Sequence, residues 1–173
     1  MKSPKSHFAA LLVPTLVLLG GCGFLRGGNV TQTPSSGDSE VSHYSEKQLC
    51  SDFAAFLKND LSLDADQFIR DELDKPIGYS GGCVQARPGG GRIAQLVMSR
   101  SLVADTIEPE EPGFQPQAGM EEKAWLAPDD QFRVQVGRWI GTMDIDVDNL
   151  KLTDEQTRRS FEFLIRVTRA VRG

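Results

Sequence analysis

The sequence predicts an α+β domain in which an antiparallel sheet of four or five strands is flanked by two N-terminal helices and one long C-terminal helix. Apolar residues recur at helical spacing near both ends of this domain. Between them the pattern changes to short apolar runs that Gly and Pro interrupt, as expected of strands. Helices grouped on either side of such a run of strands are typical of the α+β class.

Three helices are predicted, and each begins at a capping box, in which a small polar residue is followed three positions later by Gln. The third helix carries an apolar stripe wider than one narrow face, so we expect it to pack deeply across the sheet. The capping pairs are Ser45 with Gln48, Asp64 with Gln67, and Thr153 with Gln156, and they open helices over residues 46–58, near 65–74 and up to about Val171.

Two hairpins are predicted in the middle of the chain. Residues 79–86 and 92–101 should pair through the turn at 88–91, where Pro is followed by three Gly residues. Residues 123–127 and 131–147 should pair across Pro-Asp-Asp at 128–130. Residues 105–120 contain three prolines among four acids and are expected to be a long exposed loop.

The N-terminus has the organisation of a secretory signal over residues 1–21. Lys2 and Lys5 precede an apolar run at residues 8–19, which is shorter than the roughly 20 residues that a membrane-spanning helix needs. Leu19-Gly20-Gly21-Cys22 resembles the bacterial lipobox, which implies that Cys22 receives a diacylglyceryl group and that the signal is then removed. The two acyl chains of this group would give stable anchoring. The alternatives for this N-terminus are an ordinarily secreted protein and an uncleaved anchor.

Composition divides the rest of the chain into a tether and a domain. Residues 22–44 comprise the lipidated Cys and a Gly-, Ser- and Pro-rich segment typical of a flexible tether, and residues 45–173 form a single domain. Without the signal the chain carries 17 basic and 24 acidic residues, a net charge of −7. Such an acidic chain is not expected to bind nucleic acid, which is itself a polyanion.

With Cys22 acylated, Cys50 and Cys83 are the remaining thiols, and in an oxidising compartment we expect them to form a disulfide. A catalytic thiol or a pair of metal ligands is the alternative. The order of features is similar to that of small cell-wall lipoproteins of actinobacteria, many of uncharacterised function. Those proteins share the signal and lipobox, the tether, a helix with the first Cys, a strand with the second, and a final helix. The resemblance implies a PsbP-like α/β/α sandwich.

The residues needed for catalysis are sparse, and we expect no enzymatic activity and no cofactor. His43 is the one histidine outside the signal, and it lies in the predicted tether, where no neighbour would orient it toward a nucleophile. Gly89-Gly90-Gly91-Arg92 lacks the Lys and Ser/Thr of a phosphate-binding loop and is better explained as a hairpin turn.

An acid-rich segment is the sharpest candidate for a metal site. Asp144, Asp146 and Asp148 occupy alternate positions, and Glu155 follows at the twelfth, which is the spacing of the oxygen ligands in a calcium loop. Ile145 and Val147 alternate with these acids as they would in a half-buried strand. The same pattern therefore also fits a solvated strand face.

Two functions of different classes remain. The first is a lipid-anchored protein on the extracytoplasmic face of the cell membrane that binds or scaffolds an envelope protein. The second is a carrier of lipid or another apolar ligand, bound between the sheet and the last helix. For the first function, the candidate contact is the loop around residues 107–117, with Glu108, Glu110, Glu111 and Phe114.

Overall fold

The computed structural model describes residues 42–67, 74–102, 109, 113–147 and 151–173. These residues form an antiparallel sheet with two helices, which confirms the α+β class. The sheet has seven strands in the order β1-β2-β3-β7-β6-β5-β4, more than the predicted four or five, because β1 and β4 are two-residue edge strands. The elements are α1 (Glu46–Asp60), β1 (Asp66–Gln67), β2 (Ser80–Ala86), β3 (Arg92–Arg100), β4 (Gln115–Pro116), β5 (Lys123–Leu126), β6 (Gln131–Val136), β7 (Trp139–Ile145) and α2 (Asp154–Arg172).

Both helices begin at the predicted caps. The side chain of Ser45 accepts a hydrogen bond from the Gln48 N–H at 3.2 Å, which satisfies one of the free donors at the start of α1. The Thr153 capping box is reciprocal, because Oγ1 accepts from the Gln156 N–H and Oε1 of Gln156 accepts from the Thr153 N–H. The predicted first and last helices are therefore confirmed.

The predicted helix near 65–74 is wrong at its beginning. Asp66 and Gln67 form β1 and pair with Ala86 and Gln85 at the end of β2. The capping signal at Asp64 is local, and pairing with a neighbouring strand overrides it here. Residues 68–73, the rest of that prediction, lie outside the described residues.

Both predicted hairpins are present, but the strand expected over 131–147 is two strands. β2 pairs with β3, and β5 pairs with β6, in antiparallel register. Gly137 and Arg138 form a two-residue turn between Val136 and Trp139, which pair with each other. Gly137 has φ +58°, a conformation that Gly adopts at little cost, so β6 folds back onto β7 as a third hairpin.

The loop expected over 105–120 contains β4, which pairs with β5 at the edge of the sheet. Pro116 is tolerated there because an edge strand has one side without a partner and does not need every N–H. Residues 105–108 and 110–112 of that loop lie outside the described residues.

Both helices cover the same face of the sheet. Cys83, Leu96, Met143 and Phe132 lie in one row across four strands, so their side chains share a face. Cys83 forms a disulfide with a residue of α1. The ring of Phe132 contacts the ring of Phe161 in α2, with the two centroids 5.0 Å apart. Within the described ranges no second helix layer covers the opposite face, so the α/β/α arrangement that the resemblance implies is not seen there.

Aromatic rings join the two helices. Phe163 of α2 stacks on Phe53 and Phe56 of α1, with centroids 5.9 and 4.3 Å apart. All three side chains are at most 4% exposed. Burying each ring contributes roughly 1.5–3 kcal/mol, so this cluster fixes the helix layer as one unit.

The fold begins before residue 45, although the tether was predicted to extend through Tyr44. Ser42 and Tyr44 are buried, and the Ile77 N–H donates to the Tyr44 carbonyl at 3.0 Å. The Tyr44 hydroxyl donates to the carboxylate of Asp52. Burial and this hydrogen bond raise the pKa of Tyr44 above its usual range.

Candidate functional site

A disulfide joins Cys50 of α1 to Cys83 of β2, with Cα atoms 5.3 Å apart. Both residues are buried, at 2% and 4% exposure. The predicted pairing is confirmed, and these two residues are bonded to each other instead of forming a catalytic thiol or metal ligands. Cys22, the predicted site of lipidation, lies outside the described residues.

A hollow of about 430 Å³ lies beside this disulfide, along the N-terminal half of β2. Glu46 closes part of that strand edge, because its Oε1 accepts a hydrogen bond from the Gly82 N–H at 3.1 Å. β1 covers the other half of the edge by pairing with Gln85 and Ala86. Pairing of a further strand with β2 is therefore opposed at both places.

An acidic end of the sheet lies where β5, β6 and β7 meet the start of α2. A cavity of about 790 Å³ at this end is lined by residues of β3, of β7 and of the two loops that join β5 to β6 and β7 to α2. We define the acidic end by its four carboxylates, which are Asp129, Asp130, Asp144 and Asp146, and the cavity also contacts Arg92 and Lys151.

Arg92 bridges two of these acids. Its Nη2 lies 3.2 Å from Asp144 and 3.3 Å from Asp146. Burial raises the pKa of Asp144 above its ordinary value, Arg92 acts in the opposite direction, and Asp146 and Asp129 raise it further. The pKa of Asp130 is also raised, by burial and then by Asp129.

Three of the predicted calcium ligands are paired with arginines. Arg92 engages Asp144 and Asp146, whereas Glu155 accepts hydrogen bonds from Arg159 and Arg158, which lower the pKa of its carboxyl. Asp148 lies outside the described residues. In the described part of the chain no group of three or more His, Cys, Asp or Glu residues could hold a metal ion. Calcium binding, for which Asp148 would be a further ligand, stays one of the two alternatives for this segment.

Of the predicted partner-binding residues, Glu108, Glu110 and Glu111 lie outside the described residues. Phe114 is described and is half-buried, just before β4. Trp125 and Trp139 are buried, at 7% and 6% exposure, so neither is an exposed anchor for a partner.

The arginines of α2 are largely engaged by acids of the same protein. Arg158 pairs with Glu155 and Glu162 one turn away on either side. Arg169 contacts Glu121 and Glu122, each at 2.7 Å. These pairs neutralise much of the positive charge that the arginines give to α2.

In the part of the chain that the structure covers, neither helix is both long and apolar enough to cross a membrane. No protein-family model matches the chain, and comparisons with curated proteins and with solved structures give no significant match either.

Proposed function

We propose that this chain is a lipoprotein, anchored through an acylated Cys22 on the extracytoplasmic face of the cell membrane, whose domain binds or scaffolds an envelope protein without catalysing a reaction. The observation that supports an extracytoplasmic location is the disulfide between Cys50 and Cys83. Disulfides persist in oxidising compartments, and here the bond ties the first helix to the sheet. The lipobox supplies the anchor that goes with this location.

Close packing under α2 supports a binding role over that of an apolar carrier. The wide apolar stripe of α2 would line a cavity in a carrier. Instead, Phe161, Leu164 and Val171 have no exposed surface, and α2 lies so close to β7 that a Cβ on Gly141 would clash with Thr168. Core packing therefore accounts for the stripe without a ligand.

The acid-rich loop around residues 107–117 remains our candidate contact for a protein partner. Its described end, Gly113 and Phe114, lies beside Pro128, since a Cβ on Gly113 would be 3.5 Å from Pro128 Cδ. The loop thus returns to the sheet at the acidic end. Glu108, Glu110 and Glu111 make this loop acidic in sequence, which favours a partner with a basic surface.

The anchor is tested by fractionating cells that produce the full chain or its Cys22→Ser variant. The wild type should sediment with membranes and gain the mass of an acyl modification, and Cys22→Ser should be released. A Cys50→Ser, Cys83→Ser double variant is the matched control and should stay on the membrane. Continued membrane residence of Cys22→Ser would refute the lipid anchor.

The binding role is tested by native mass spectrometry of the protein extracted in mild detergent from its own host. A protein companion in fixed ratio, lost when Glu108, Glu110 and Glu111 are replaced by Gln, would support the proposal. A non-covalent lipid in fixed ratio would favour the carrier and contradict it.

A further inference from the structure

The chain enters the domain at one particular end of the sheet. Ser45 forms an antiparallel bridge with Pro76, and the Tyr44 carbonyl accepts from the Ile77 N–H. Tyr79, which is two residues after Ile77, directly precedes β2. Tyr44 and Ser45, near the first described residue, therefore lie beside the first residues of β2, at the end of the sheet opposite to the acidic end.

Two highly exposed apolar side chains lie at this same end. Tyr79 is 71% and Leu102 is 88% exposed. The Arg100 N–H donates to the Tyr79 carbonyl at 2.7 Å. The Ser101 N–H donates to the backbone carbonyl of Arg138, in the β6–β7 turn, at 2.8 Å. These backbone bonds place Tyr79 and Leu102 at the same end of the sheet, which we call the tether end.

Four large apolar side chains are exposed in the part of the chain that the structure describes, and two of them lie elsewhere. Val84 and Val97, the other large apolar residues with marked exposure, are only 37% and 36% exposed. They lie in the middle of β2 and β3, on the face that the helices leave open. The two side chains at the tether end are therefore the most exposed of the set.

The larger cluster of carboxylates lies at the far end of the sheet, while Glu46 of α1 accepts a hydrogen bond from Gly82 of β2 nearer the tether end. The carboxylates of the acidic end lie near the start of β3 and the end of β7, one strand length away from Tyr79 and Leu102. Bilayers that contain anionic lipid repel such a cluster and attract cations. Arg172 lies over Gly137 at the tether end, within 4 Å of a Cβ built there.

We propose that the tether end is a membrane-contact surface, with Tyr79 and Leu102 resting in the interfacial region of the phospholipid bilayer. This inference rests on the proposed anchor at Cys22. Cys22 and Ser42 are 20 positions apart in the sequence, so an anchor at Cys22 favours contact of this end with the lipid. Tyr suits the interface because its ring is apolar and its hydroxyl polar, and Leu adds apolar area.

The test places a photo-crosslinking residue, p-benzoylphenylalanine, at single positions of the full chain. Tyr79 and Leu102 are the test positions. Val97, which is exposed and apolar but lies on the open face, and Asp129 at the acidic end are the matched controls. Each protein is reconstituted in vesicles of phosphatidylethanolamine and phosphatidylglycerol and illuminated, and its intact mass reports both acylation of Cys22 and covalent lipid adducts. All four positions are at the surface, so unchanged thermal melts should confirm folding.

We expect acylated protein with at least about tenfold more lipid adduct at positions 79 and 102 than at 97 and 129, since contact requires the interface. Acylated protein with equal adducts at all four positions, or with none, would overturn the membrane-contact surface and leave the anchor intact. Protein that is not acylated would refute the anchor and this inference with it.

Discussion

Gly141 of β7 lies directly under Thr168 of α2, and a Cβ atom added to Gly141 would be 2.4 Å from the Thr168 Oγ1. Thr168 cannot easily move away, because the same oxygen donates to the Leu164 carbonyl at 2.7 Å within the helix. The contact sets how closely α2 approaches the sheet.

Replacing Gly141 by Ala should therefore destabilise the domain. We expect the free energy of unfolding to fall by about 1–3 kcal/mol, the usual cost of inserting a methyl group into a filled core. Urea denaturation checks this. In the Gly141→Ala, Thr168→Ala double variant the loss should be smaller than the sum of the single losses, and strict additivity would contradict the clash.

Removing the disulfide should lower the free energy of unfolding more than the Gly141→Ala substitution does. Closing the loop between Cys50 and Cys83, 33 positions apart, stabilises the fold by about 3–4 kcal/mol on the chain-entropy account. The Cys50→Ser, Cys83→Ser variant should show this loss in denaturant unfolding, measured in a Cys22→Ser background. Detection of two reactive thiols in the denatured, unreduced wild-type protein would contradict the bond itself.

The positive charge of Arg92 is expected to lower the pKa of Asp144. Burial raises that pKa, and Arg92 is the group that opposes the rise. In Arg92→Gln the Asp144 pKa should therefore increase further, as followed by carboxyl-carbon NMR during a pH titration. An unchanged or lower value would show that the ion pair contributes nothing in solution.

The raised pKa of Asp144 also predicts how stability depends on pH. A carboxyl whose pKa is higher in the folded than in the unfolded state favours folding at low pH, and this contribution is lost as the pH rises through the folded pKa. Between about pH 4 and 7 the wild type should lose stability relative to Asp144→Asn. Asp64→Asn, at an exposed carboxyl, is the control, and identical slopes for all three proteins would refute the prediction.

Calcium would have to displace several arginines to use the predicted ligands. Arg92 occupies Asp144 and Asp146, and Arg158 and Arg159 occupy Glu155. We therefore expect millimolar calcium to leave the thermal unfolding midpoint unchanged. A rise in the midpoint that Asp146→Asn abolishes would instead establish the calcium site.

Local signals predicted most of the secondary structure, since they depend on near neighbours in sequence. Thr153 and Gln156 cap α2 by bonds that span three residues, and the alternation at Phe132 and Val134 identifies a half-buried strand without any distant partner. The pairing of Cys50 with Cys83 could be predicted because only two thiols remained once Cys22 was set aside.

Features that depend on distant partners were missed. Asp66 and Gln67 follow a capping signal but pair with β2, and Pro116 lies in an acidic, proline-rich segment but finds an edge position beside Trp125. Gly137 was a usable signal, since a lone Gly inside a strand pattern often marks a turn or bulge. Nor could the convergence of Asp129 with Asp144 be predicted, because it requires knowing that β6 and β7 are neighbours.

The bond between Cys50 and Cys83 also gives the domain a mechanical property. A pull on the residues before Ser42 reaches α1 first, through Tyr44, at the point where Ser45 meets Pro76. Without the disulfide, only non-covalent contacts such as hydrogen bonds and ring contacts would join α1 to the sheet. A sufficient pulling force would then separate the helix from the sheet. The covalent link passes that force from α1 directly into β2, so in an oxidised protein the first helix cannot be stripped from the sheet by tension on its own attachment.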